Sequence, residues 1–126
     1  MATLLVHIRV KEGFETEFEA IADELYEETH RHEHVLRYEY WRSQSPGCWY
    51  ALESFERYAD FLAHQSSEYH ERLAPRLREI MEEINLEWID PLPGASPLPS
   101  TAEPTEDLGE LAQRYPLRRA EWWTNQ

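Results

Sequence analysis

Two residues in this sequence have the types and spacing for proton chemistry: Glu53 and His64. Glu53 stands in the run CWYALESF, where alternation puts Trp49, Ala51, Glu53 and Phe55 on one face of a strand. His64 falls in the helical region that follows. A carboxylate hydrogen-bonded to a neutral imidazole orients the ring and raises its basicity, which makes a general base for a phenolic proton. The same pair can equally anchor a helix to a sheet, and spacing alone leaves both readings open. His70 lies six residues beyond His64. Helical neighbours are three or four apart, so the two should not share a face, and His64 is the one expected to point inward. The run ETHRHEH gathers His30, His32 and His34 with Glu27 and Glu33. His30 and His34 could chelate as an i, i+4 pair, but the run sits where a helix should end. Histidines there suit the helix dipole without a ligand, and nothing supplies a third ligand, so no metal site is expected. Cys48 has no basic neighbour and gives no reason to expect a nucleophile.

The elements that must position these residues read out in order. Leu4, Val6, Ile8 and Val10 alternate within Thr3 to Val10, a strand with one apolar face. Phe14, Phe18, Ile21, Ala22, Leu25 and Tyr26 form a helical stripe running from Phe14 to about His30. Val35 to Arg42 and Cys48 to Phe55 read as strands, and the turn Ser43 to Gly47 between them makes an antiparallel hairpin. A helical region from Arg57 to Ile84 follows, with a bend or break expected at Pro75. Leu86 to Ile89 is expected as a short fourth strand. The order β-α-β-β-α-β predicts an α+β, ferredoxin-like domain over residues 1–90: a four-stranded antiparallel sheet with helices on one face. Leu36, Tyr38 and Tyr40 lie on one side of the second strand, and Val35 and Trp41 on the other. Both faces of the sheet are therefore apolar or aromatic, and a second copy of the chain is the simplest cover for the one the helices leave bare. Arg37 and Glu39 share the face with Val35 and Trp41 and would pair across such an interface.

Residues 91–126 differ in composition. PLPGASPLPSTAEP reads as a proline-stiffened linker, Thr105 to Tyr115 as one short helix with Thr105 as its cap, and the end as an arm carrying Trp122 and Trp123. Two adjacent exposed tryptophans are costly, so the arm is expected to dock on the globular part or on a partner.

Composition narrows the function. The chain has 126 residues, enough for one domain with a real core. Twelve Lys and Arg against 25 Asp and Glu give a formal charge of −13, which argues against nucleic acid or an anionic membrane surface as partner. A single cysteine rules out an intrachain disulfide and suits a reducing cytoplasm. The N-terminal apolar stretch lacks a preceding basic region and a small-residue cleavage site, so it reads as a strand and not a secretory signal. Aromatic residues make up 13%, with five Trp and seven Tyr, more rings than so small a core needs. A ligand pocket or an oligomer interface would use them.

The segments VLRYEYWRS, SPG, ESF and HQSSEY (residues 35–43, 45–47, 53–55 and 64–69) together resemble the antibiotic-biosynthesis-monooxygenase family over roughly residues 1–90. The resemblance implies a dimeric α+β barrel, with two sheets packed face to face and a pocket in each subunit between sheet and helices. It places the Glu53 face of the third strand toward the helices. It implies a cofactor-independent monooxygenase acting on a small aromatic or quinol-type substrate, with Glu53 and His64 as catalytic pair. Trp49, Phe55, Phe61, Tyr69 and Tyr38 are the expected substrate-binding residues. Members of the polyketide-quinone type carry Asn, Trp and Tyr at places that hold Ala51, Phe55 and Phe61 here. The haem-degrading type carries Asn and Trp where this chain has Val6 and Phe55, and its iron-ligating His would fall near His70. A non-catalytic ligand-binding dimer and a haem-binding protein are the alternatives.

Overall fold

A computed structural model describes residues 1–123. Its elements are β1 (Ala2–Val10), α1 (Glu15–His32), β2 (Arg37–Arg42), β3 (Cys48–Phe55), α2 (Tyr58–Gln65), α3 (Glu68–Ile80), β4 (Met81–Trp88) and α4 (Glu110–Arg114). The four strands form one antiparallel sheet in the order β2-β3-β1-β4. Alternation along β1 buries Leu4, Val6, Ile8 and Val10, and the register sets Val6 beside Ala51 on one flank and Leu86 on the other. Residues directly opposite in an antiparallel ladder share a face, so the helix-facing side carries Trp49, Ala51, Glu53, Phe55, Tyr38 and Tyr40 as well. From α1, Phe18, Ile21, Ala22, Leu25 and Thr29 pack down on it. Glu15 and Glu17 in the first turn of α1, and His30, Arg31 and His32 in the last, complement its dipole.

The expected helical region from Arg57 to Ile84 is three elements. Its break is at Ser66 and Ser67 and not at Pro75, which α3 runs through. The Ser66 hydroxyl donates back to the Leu62 carbonyl at 3.0 Å, and the Ser67 hydroxyl accepts from the His70 N–H at 3.3 Å as the cap of α3. Two serines competing for backbone groups stop one helix and start the next. Met81 and Ile84, expected on the helix, open β4 instead, which is longer than the Leu86–Ile89 strand foreseen. The ladder to β1 decides this, since Ile84 pairs with Ile8 and Leu86 with Val6.

The face away from the helices presents Leu5, His7, Tyr50, Leu52, Glu39 and Trp41. Trp41 is 58% exposed and Tyr50 is exposed too. Arg37 and Glu39 pair with each other at 2.5 Å within the chain.

The arm folds back onto the domain. Thr101 is buried and donates to the Ile89 carbonyl at 2.6 Å, and Ala102 N–H reaches the Met1 carbonyl at 2.8 Å. Trp88 Nε1 donates to the Pro116 carbonyl at 2.9 Å, Tyr58 donates to the Tyr115 carbonyl, and Leu117 is 1% exposed. The short helix is capped by Gly109, at φ 83, and not by Thr105. The two tryptophans part company: Trp123 lies under the Arg119 guanidinium at 5.2 Å, while Trp122 is 79% exposed. Among the described residues no helix is long and apolar enough to cross a membrane.

Candidate functional site

A cavity of about 260 Å³ lies between the helix-facing side of the sheet and α1, α2 and α3. Its walls are mostly apolar, from Val6, Ile8, Leu25, Leu77 and Met81, with polar groups gathered at Tyr38, Tyr40, Glu53, His64 and His70. A small apolar hollow with a few convergent polar groups is the usual form of a small-molecule site.

His64 sits at the centre. It is 1% exposed, and both ring nitrogens face carboxylates. Nδ1 is 3.0 Å from Glu33 Oε2, while Nε2 is 4.0 Å from Glu53 Oε1. The first is a hydrogen bond and the second is not. The orienting carboxylate is therefore Glu33, and Glu53 is not hydrogen-bonded to the ring as expected. Glu53 is 8% exposed, and its Oε1 has no partner among the described residues. Burial raises the Glu53 pKa; His64 opposes the shift and Glu33 adds to it. Glu33 was placed by sequence in the histidine-rich run and weighed only as a metal ligand. It sits at the C-cap of α1, where its N–H closes on the Thr29 carbonyl at 2.9 Å. The same oxygen that meets His64 also accepts the Tyr69 hydroxyl.

The helix break corrects a second expectation. His64 ends α2 and His70 begins α3, so their separation is no longer set by one helical period. Their ring centroids are 5.1 Å apart, and both line the cavity. His70 is held down to a pKa of about 4, first by burial and then by His64. Tyr38 and Tyr40 share a hydroxyl contact of 2.9 Å, and burial above all raises both phenols.

Of the five expected substrate-binding residues, Tyr38 lines the cavity. Phe55 lies behind it with its ring 5.6 Å from His64, and Phe61 packs between Phe55, Trp88 and Tyr115 in the core. Tyr69 is spent on Glu33. Trp49 donates to Glu19 at 2.9 Å and faces a separate groove between α1 and β2. The cavity also takes Tyr40, together with Arg78 and Tyr115, the last two of which sequence did not assign to it. Tyr115 comes from the arm, and no local pattern could have connected it to a sheet residue some sixty positions away. His30 bonds the Tyr26 carbonyl at 2.9 Å, and among the described residues no group of three or more candidate ligands could hold a metal ion.

The chain is similar to known proteins in fold and in sequence pattern. A family model described as antibiotic biosynthesis monooxygenase matches residues 1–76. No curated protein matches. A crystal structure of an antibiotic biosynthesis monooxygenase superposes with a TM-score of 0.68 at 21% identity, covering 74% of this chain and 100% of that one. PA3566 from Pseudomonas aeruginosa gives 0.67 at 17%, covering 72% and 93%. Rv0793 from Mycobacterium tuberculosis gives 0.68 at 14%, covering 75% and 98%. At such identities the likeness is one of fold.

Proposed function

The chain belongs to the antibiotic biosynthesis monooxygenase family, and from that membership we propose that it oxidises a small aromatic or quinol-type substrate with molecular oxygen, without a cofactor and as a homodimer. The observation that carries the reading is the buried His64, with Nε2 turned toward the orphaned Glu53 Oε1 on the cavity wall. A gap of 4.0 Å between those two atoms is what one hydroxyl oxygen spans when it lies about 2.8 Å from each. The substrate hydroxyl sits there, between the imidazole and the carboxyl group. His64 removes its proton, and the phenolate that remains is electron-rich enough to reduce oxygen with no flavin or metal. One oxygen atom stays on the substrate carbon as a carbonyl. The other leaves as water with the two hydrogen atoms the substrate gives up, so the substrate itself is the reductant. The cavity, at about 260 Å³, lies just below the roughly 300 Å³ at which drug-sized pockets begin, which favours one or two rings over a haem macrocycle.

Oxygen uptake with a panel of hydroquinones and naphthols tests this. The wild type should consume oxygen with at least one of them. His64→Ala should lower the rate by about a hundredfold or more, and unchanged turnover in that variant would remove His64 from the chemistry. Saturable binding without oxygen uptake would instead favour a ligand-binding protein of the same fold.

A further inference from the structure

We propose that Glu33 is the positioning residue of His64, holding the ring in the tautomer that carries its proton on Nδ1 and so presenting the Nε2 lone pair to the cavity. The proposal deepens the reading above by naming what prepares the base. Nothing in the local pattern of Glu33 suggests this role; its place in the fold does.

Glu33 Oε2 stands 3.0 Å from Nδ1 and also receives the Tyr69 hydroxyl. An ionised carboxylate only accepts hydrogen bonds. With Glu33 in that form the shared proton lies on Nδ1, and a neutral imidazole then has its free pair on Nε2. Tyr69 donates to that same oxygen and so fixes the carboxylate, and the ring cannot turn without breaking its own bond to it. The Glu33 backbone is fixed as well, through its N–H to Thr29. Phe55 and Tyr38 pack around the ring at 5.6 and 5.0 Å between centroids, closing off other orientations.

Glu33 also has a second side. It borders a surface cleft of about 290 Å³ with His34, Glu56, Arg57 and Asp60, whereas His64 lines the cavity. Glu33 is thus half-buried beside that cleft, while Glu53 is buried on the wall of the cavity. Environments that differ in this way give two carboxyl groups different tasks around one base. When His64 takes the substrate proton, the substrate O–H bond breaks and an Nε2–H bond forms. The imidazolium is then paired with Glu33. The same proton returns to the oxygen that departs as water.

The test is a long-range proton–nitrogen NMR spectrum of the full-length ¹⁵N-labelled chain, with His64 assigned by its disappearance in His64→Gln. The wild type should show the Nδ1–H tautomer for His64. In Glu33→Leu nothing at that position can accept from Nδ1, so the tautomer should move to Nε2–H. Glu33→Asp, which keeps a carboxylate one methylene shorter, should restore Nδ1–H at least in part. An Nε2–H tautomer in the wild type overturns the proposal, even if the variants fold poorly, and so does an unchanged tautomer in folded Glu33→Leu. The spectrum requires no turnover, so it stands or falls apart from the monooxygenase reading. Where a quinol is turned over, Glu33→Leu should lower kcat at least about tenfold with KM within about threefold, and equal kcat in wild type and variant would also overturn it.

Discussion

His70 is the residue whose charge state the fold constrains most plainly. Its imidazole takes a proton near pH 6.5 when solvated and only near pH 4 in the folded chain, because burial and the neighbouring His64 disfavour the cation. Between those values the unfolded chain holds more protons than the folded one. Stability therefore falls as pH drops from about 6.5 toward 4, by up to about 3 kcal/mol if the whole shift is expressed. Glu53 acts in the opposite sense, since its raised pKa favours the fold as the carboxyl group takes up its proton. The contribution of His70 is therefore read as a difference. His70→Asn should lose less stability than the wild type between pH 6.5 and 4.5 in urea titrations, and parallel curves would show that His70 is solvated. Glu53 itself is a buried acid with one unpartnered oxygen. An uncompensated group of that kind costs stability, and a bound hydroxyl would relieve the cost.

At the scale of elements, the site depends on a discontinuity and on an addition. The discontinuity is the Ser66-Ser67 break, which turns two histidines six residues apart toward one hollow. The addition is the arm, which lies beyond the family match ending at residue 76 and supplies Tyr115 to the cavity wall. Leu117 anchors it in the buried core that also holds Tyr58 and against which Trp88 packs. Leu117→Ala should cost about 2–5 kcal/mol, the range for a buried leucine truncated in a packed site. If the arm is a wall of the cavity, the same variant should weaken binding of a naphthol followed by tryptophan fluorescence. A thermal midpoint within a degree of the wild type would mean that the arm is not seated as described.

At the scale of the molecule, the sheet has one face under helices and one face open. The open face mixes Trp41, Tyr50, Leu5 and Leu52 with the charges of Arg9, Glu83 and Glu87. Exposed rings of that size on a continuous face are the usual mark of a protein interface. Sedimentation velocity should give a dimer for the wild type, and Trp41→Glu with Tyr50→Glu should shift it toward monomer without unfolding it. A wild-type monomer at high concentration would remove the homodimer from the proposed function.

Much of this was legible in the chain itself. Strand β3 was read with the limits it has, and β1, α1 and the hairpin within two residues, because alternation and the helical stripe are local patterns that burial on one face imposes. That Trp49, Ala51, Glu53 and Phe55 share one face belongs to that category too, whereas the family resemblance, not alternation, directed that face toward the helices. The extent of β4 did not, since Met81 and Ile84 suit a helix as well as a strand and only pairing with β1 chose between them. Nor did the partner of His64: Glu33 follows the last turn of α1, 31 residues earlier, and became its hydrogen-bond acceptor only when the end of α1 came beside the end of α2 over one sheet. Periodicity decides which way a side chain points, whereas the group it meets is decided by packing between segments distant in sequence.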